Sequence, residues 1–168
     1  MKKFVIAIAA VLAIPGPVRC MAQAQAQAQA QVQIPVQIQD KGYWRAASNT
    51  AASITGDIGI AAATMTLNFK KYPLASIRSL QPAEVSAAFD ADASTAGPGT
   101  LYRLRVPAWV RLLKHNTLCG TDDAEWMATY AAGKSLQVAF FSGADEPKFS
   151  FDAIANSTHL CGTYSFVR

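Results

Sequence analysis

With 168 residues, 51% of them hydrophobic, the chain can bury one core but not two. Its formal net charge of +4 sets fifteen basic against eleven acidic residues, and three of the basic ones (Lys2, Lys3 and Arg19) fall in an N-terminal stretch that reads as removable. Without them twelve basic residues face the same eleven acids, which leaves too weak a basic field for nucleic-acid binding.

Residues 1–22 read as a secretory signal peptide. Met1-Lys2-Lys3 supplies the positive start, Phe4 to Ile14 the apolar run, and Pro15-Gly16-Pro17 ends any helix. The run is shorter than the roughly 20 apolar residues that span a bilayer, so no transmembrane segment is expected after cleavage. Small residues suited to cleavage begin at Ala22, and Arg19 beside Cys20 fits a lipid-attachment signal badly. The expected location is periplasmic or secreted.

Residues 23–41 form an Ala-Gln-rich stretch without enough large apolar side chains to offset the entropy of ordering, which predicts a flexible tether. Val32, Ile34, Val36 and Ile38 alternate with glutamine, but Pro35 argues against a central strand. The folded domain is therefore set at 42–168.

That domain reads as strands. Ile54, Ile58 and Ile60 alternate around a turn or bulge at Gly56-Asp57, and Met65, Leu67 and Phe69 share one face. Lys70-Lys71 reads as a solvated turn before a strand over about 74–80, then a less regular segment at Pro82–Val85 and a surface loop over 90–99. Tyr102, Leu104 and Val106 point inward and Arg103 and Arg105 outward. Residues 107–115 stay open between a helix with Trp109, Leu112 and Leu113 on one face and an irregular crossing. Asp122 and Glu125 resemble a helix capping box, yet the alternation of Trp126, Ala128 and Tyr130 into Ala132-Gly133-Lys134 favours a β-hairpin with 136–141. After a loop at 142–147, the aromatics Phe149, Phe151, Tyr164 and Phe166 mark two final strands. The expected fold is mainly β: a small antiparallel barrel or sandwich of seven or eight strands.

Leu-Cys-Gly-Thr occurs at 118–121 and again at 160–163, and its cysteines are the only ones left after signal removal. In an oxidising compartment Cys119 and Cys161 are expected to form a disulfide, closing a loop of about 43 residues. His115 and His159 flank them, so a Cys2His2 zinc site is the competing reading, but oxidised cysteines cannot ligate as thiolates. No metal and no cofactor are expected. The size, export signal, strand pattern and single bridge resemble small periplasmic β-barrel proteins, including some lysozyme inhibitors, and the resemblance is one of fold.

Three constellations could carry function. Ser142, in a Gly-Ala-Asp turn with Asp145 nearby, could act as a nucleophile if His159 supplies the base. The acids Asp90 and Asp92, Asp122, Asp123 and Glu125, or Asp145 and Glu146 could serve a glycosidase only across a cleft. Arg103, Arg105, Arg111 and Lys114, with Trp109 among them, form a local basic cluster suited to an anionic partner, with Trp109 in the core as the simpler reading. The function expected is that of a non-catalytic envelope or periplasmic protein, a binding or inhibitor-like module whose partner is a protein or an anionic envelope component. A small secreted hydrolase using Ser142 and His159 is the alternative.

Overall fold

The computed structural model describes residues 40–168; the segment read as a signal peptide and all but the last two residues of the segment read as a tether lie outside them. Eight antiparallel strands form a closed barrel, each paired with its neighbour in sequence and the last with the first. They are β1 (Gly42–Ala46), β2 (Ile58–Ile60), β3 (Thr64–Leu67), β4 (Lys70–Leu80), β5 (Gly99–Val106), β6 (Ala124–Ala132), β7 (Ser135–Ser142) and β8 (Leu160–Val167). Closure leaves no unpaired sheet edge.

Alternation fills the inside. Trp44, Met65, Leu67, Tyr102, Met127, Phe140, Tyr164 and Phe166 are all buried in one interior cluster, and Phe140 meets Tyr164 edge-on at 5.5 Å. A second cluster lies outside the barrel, where α2 (Pro82–Phe89) sets Val85, Ala88 and Phe89 with Leu80, Leu101, Trp126 and Ala128. Two bulges make this possible. An irregularity between Ser76 and Arg78 reverses the faces of β4, so that Leu74 faces inward but Leu80 joins the outer cluster. Another between Ala124 and Trp126 leaves Ala124 and Met127 in the interior cluster and Trp126 in the outer one.

Three segments expected as strands or irregular chain are helical, each because a local cap outweighs alternation. Ser48 Oγ accepts the Ala51 N–H and starts α1 (Asn49–Ile54). Gly56, at φ 61°, ends it by donating its N–H to the Ala51 carbonyl, so the Gly-Asp pair is a helix stop rather than a hairpin turn. Pro82 and a Glu84 carboxylate accepting the Gln81 N–H begin α2 where irregular chain was expected. Ser150 caps α3 (Phe151–Ala155), which replaces the strand expected at 148–152. Phe149 still packs, edge-on to Phe141 at 5.7 Å, whereas Phe151 stands in solvent. Residues 107–123 are an irregular crossing with one short 3-10 turn, Leu113–His115.

The two barrel ends differ. At one, Asp40 is buried: its Oδ2 accepts the hydroxyls of Tyr102 (2.9 Å) and Thr129 (2.5 Å), and its carbonyl accepts the Trp44 indole N–H (2.7 Å). A residue read from sequence as tether thus contributes its side chain to the barrel. From the other end emerge α1, the β3–β4 turn, the 107–123 crossing and the 143–159 segment. Val110, Leu112 and Leu118 of the crossing are buried against the interior cluster. The disulfide lies at this end, joining Cys119 of the crossing to Cys161 of β8 with Cα atoms 4.7 Å apart. Among the described residues no helix is long and apolar enough to cross a membrane.

Candidate functional site

The basic cluster expected from sequence divides in two. Arg103 and Arg105 do share the outer face of β5, but both are engaged. Arg103 pairs with Glu125, lies over the Trp126 ring with its guanidinium 4.5 Å from the ring centre, and donates to the Ala144 carbonyl at 3.2 Å. The bulge in β6 is what lets Glu125 and Trp126 reach it together. Arg105 donates to Asp123 at 2.8 Å, and the Asp123 carboxylate also accepts the Ala108 N–H at 2.9 Å. That N–H first, and Arg105 second, hold the Asp123 carboxyl below its usual range. These two arginines brace the barrel wall.

Trp109, Arg111 and Lys114 instead belong to the crossing at the disulfide end. The simpler placement of Trp109 in the core fails: it is 74% exposed, and Val110 and Leu112 are the residues that turn inward. The segment follows the barrel rim rather than a helix, so helical spacing does not decide which side is buried. Among the described residues Arg111 donates only to the Ala108 carbonyl, and Lys114, at φ 51°, is exposed. Neither joins an ion pair among the described residues.

Sequence reasoning missed the neighbour of this segment. Leu67 pairs with Lys70, so Asn68 and Phe69 alone make the β3–β4 turn, with φ 44° and 61°. Positive φ at both central positions is the type I′ hairpin, for which Asn-Gly is the favoured pair. Here Phe fills the glycine position, 97% exposed. A bulky residue at positive φ is a backbone outlier that costs on the order of 1–3 kcal/mol. Lys70 and Lys71, expected as the turn itself, are the first residues of β4 beside it and also free of ion pairs among the described residues.

Next to the turn lies a hollow of about 430 Å³ bordered by Tyr43, Gly59, Thr66, Phe69 and Leu113. Gly59 sits between Tyr43 and Thr66 in the sheet register, and its missing side chain leaves the space. Asp57 at its margin accepts the Tyr43 hydroxyl at 2.6 Å and the Ala46 N–H at 2.9 Å, which with the nearby Arg45 charge hold its carboxyl below the usual range.

The fold does bring Ser142 and His159 together. Ser142 Oγ lies 3.3 Å from His159 Nδ1, and the Ser142 N–H donates to the His159 carbonyl at 2.8 Å. Gly143, at φ 89°, runs so close that a Cβ there would sit 3.1 Å from the imidazole. A cleft of about 360 Å³ opens beside them, lined also by Asp145, Lys148 and Asn156. Ser142 is only 5% exposed, and among the described residues no carboxylate bonds to the imidazole. The serine and histidine that a hydrolase would need are thus adjacent, without a third group to orient them among the described residues.

The remaining acids are dispersed. Glu146 and Glu84 both bind Arg78, at 2.7 and 2.8 Å, tying the 143–150 loop and α2 to β4. Asp92 caps its own loop through Ser94. No cluster of three or more potential metal ligands occurs among the described residues. Protein-family models, curated proteins and solved structures yield no match to this chain.

Proposed function

We propose that the protein is an exported, non-catalytic binding module that meets an anionic partner through its disulfide end. The observation that carries this reading is Phe69: an aromatic 97% exposed in a turn position made for glycine, with almost no burial among the described residues to offset its cost. Cost without internal return points to a use outside the chain. Lys70, Lys71, Arg111 and Lys114 give that end its positive sign, whereas Arg103 and Arg105 are neutralised by Glu125 and Asp123.

Retention on an immobilised polyanion, eluted by a salt gradient, tests the proposal. The Lys70→Glu/Lys71→Glu protein is expected to elute at clearly lower salt than native protein, and Arg105→Gln/Asp123→Asn, which removes a mutually neutralised pair, to elute nearly with it. Co-elution of the lysine variant with native protein would sink the reading.

Hydrolysis is the second reading, favoured by the 3.3 Å contact between Ser142 and His159. It expects a serine-directed phosphonylating probe to label native protein and to spare Ser142→Ala. Absence of labelling in the native protein removes it.

A further inference from the structure

The partner of the disulfide end can be narrowed by chemistry. We infer that the Phe69 turn and Trp109 dock on a phospholipid surface bearing anionic headgroups, an inference that rests on the anion-binding reading above. The β3–β4 turn and the 107–123 crossing leave the barrel at the same end, so their two exposed rings lie at that end. Indole and phenyl rings flanked by cationic side chains suit the boundary between acyl chains and headgroups. Each lysine or arginine near an anionic leaflet adds attraction.

On the Phe69 side of this end stand Lys70 and Lys71 beside Phe69, Arg111 beside Trp109, and Lys114, which follows the Leu113 of the hollow, while Lys148 lies on the α3 side. Of the acids nearest in the fold, Asp123 is paired with Arg105, and Asp57, held ionised by the Tyr43 hydroxyl and the Ala46 N–H, is offset by the nearby Arg45 charge. Asp122 stays exposed beyond the bridge, and Asp145 and Asp152 belong to the α3 side of the same end. The basic field is therefore lopsided toward Phe69, and that side faces the lipid.

A bilayer fits these prongs better than a protein does. Hot spots of protein interfaces sit within a rim of contacts that excludes water. At 97% exposure Phe69 borders the hollow without being buried in it and has no such wall. A lipid interface surrounds an inserted ring from every side and needs none.

The experiment uses the full chain with vesicles of phosphatidylcholine alone or mixed with phosphatidylglycerol, the acyl chains brominated to quench indole fluorescence. Trp44 and Trp126 are buried and Trp109 is exposed, so quenching reports chiefly on Trp109. The native protein is expected to be quenched by the anionic vesicles and much less by neutral ones. Lys70→Glu/Lys71→Glu should weaken partitioning at least tenfold, since each charge near the surface is worth roughly a factor of five. Phe69→Gly should weaken it several-fold while its thermal midpoint is equal or higher, because glycine accepts the φ of 61° without strain. Quenching that is equal in neutral vesicles and indifferent to these substitutions belongs to the apolar N-terminal run and overturns the inference. No partitioning, with lysine-dependent retention on the polyanion intact, also overturns it and leaves an acidic macromolecule as the partner. Loss of both overturns this inference and the reading beneath it.

Discussion

Cys119→Ser is expected to lower the unfolding free energy by about 2–5 kcal/mol, as removal of a native bridge does in small secreted domains. The bridge spans a sequence separation of 42 and fastens a segment that has no strand of its own. Residues 107–123 place Val110, Leu112 and Leu118 over one end of the interior cluster. Their backbone is fixed mainly by local bonds such as Leu112 N–H to the Asn116 carbonyl, and one side-chain bond reaches from Asn116 to Ser53. Without the bridge, the unfolded chain regains the freedom of a long loop and the barrel end is secured by packing and a few side-chain bonds. Urea unfolding of oxidised native protein, each single variant and the double variant Cys119→Ser/Cys161→Ser measures the loss. The double variant should lose no more than a single one, because all three remove one and the same bond. Midpoints unchanged from native would mean that the bridge does not form, and additive losses that each thiol stabilises by packing instead.

Asp40→Ala is expected to cost about 2–5 kcal/mol, because two buried hydroxyls lose their shared acceptor and each orphaned group costs about 1–3. Tyr102 is fully buried and Thr129 nearly so; among the described residues the only other acceptor bonded by Thr129 Oγ1 is the Thr100 carbonyl at 3.4 Å. Burial first, and the Asp40 charge second, push the Tyr102 hydroxyl well above its ordinary value, so it remains a donor across the accessible pH range. The substitution spares the bond from Trp44 to the Asp40 carbonyl and so isolates the side chain. Asp40→Asn keeps one acceptor and should lose less. Its second oxygen has no partner among the described residues, so the carboxylate bears its own burial cost, which keeps the expected loss moderate. A urea midpoint for Asp40→Ala equal to native would show that the hydroxyls are satisfied some other way.

The alternating runs in β5 to β8 were legible because a strand buried on one side must place its apolar residues at every second position. Tyr102, Leu104 and Val106, and Leu136, Val138 and Phe140, all face the interior as that rule requires. The bridge was legible from cysteine count. Helices α1, α2 and α3 were not, although Ser48, Pro82 and Ser150 are ordinary start signals. Each helix is so short that a single cap competes with one or two alternating residues, and sequence does not rank the two.

The candidate site was half legible. The basic residues of the crossing could be named, but their separation from Arg103 and Arg105 could not. It depends on a bulge that turns Glu125 and Trp126 outward together, and on Asp123 returning along the rim to Arg105. Phe69 was read as the last residue of a buried strand face, since Met65, Leu67 and Phe69 keep the period. The two-residue turn ends that strand at Leu67 and swings Phe69 into solvent.

The sequence by itself determined the fold class, the pairing of Cys119 with Cys161 and the inward face of the long strands, because these follow from composition and period along a local stretch. Tertiary structure decided which residues of the basic cluster stay out of ion pairs, that Asp40 belongs inside the barrel, and that Ser142 meets His159. Each of those depends on register: one inserted residue reverses a strand's faces, and a closed barrel passes the shift on to every neighbour.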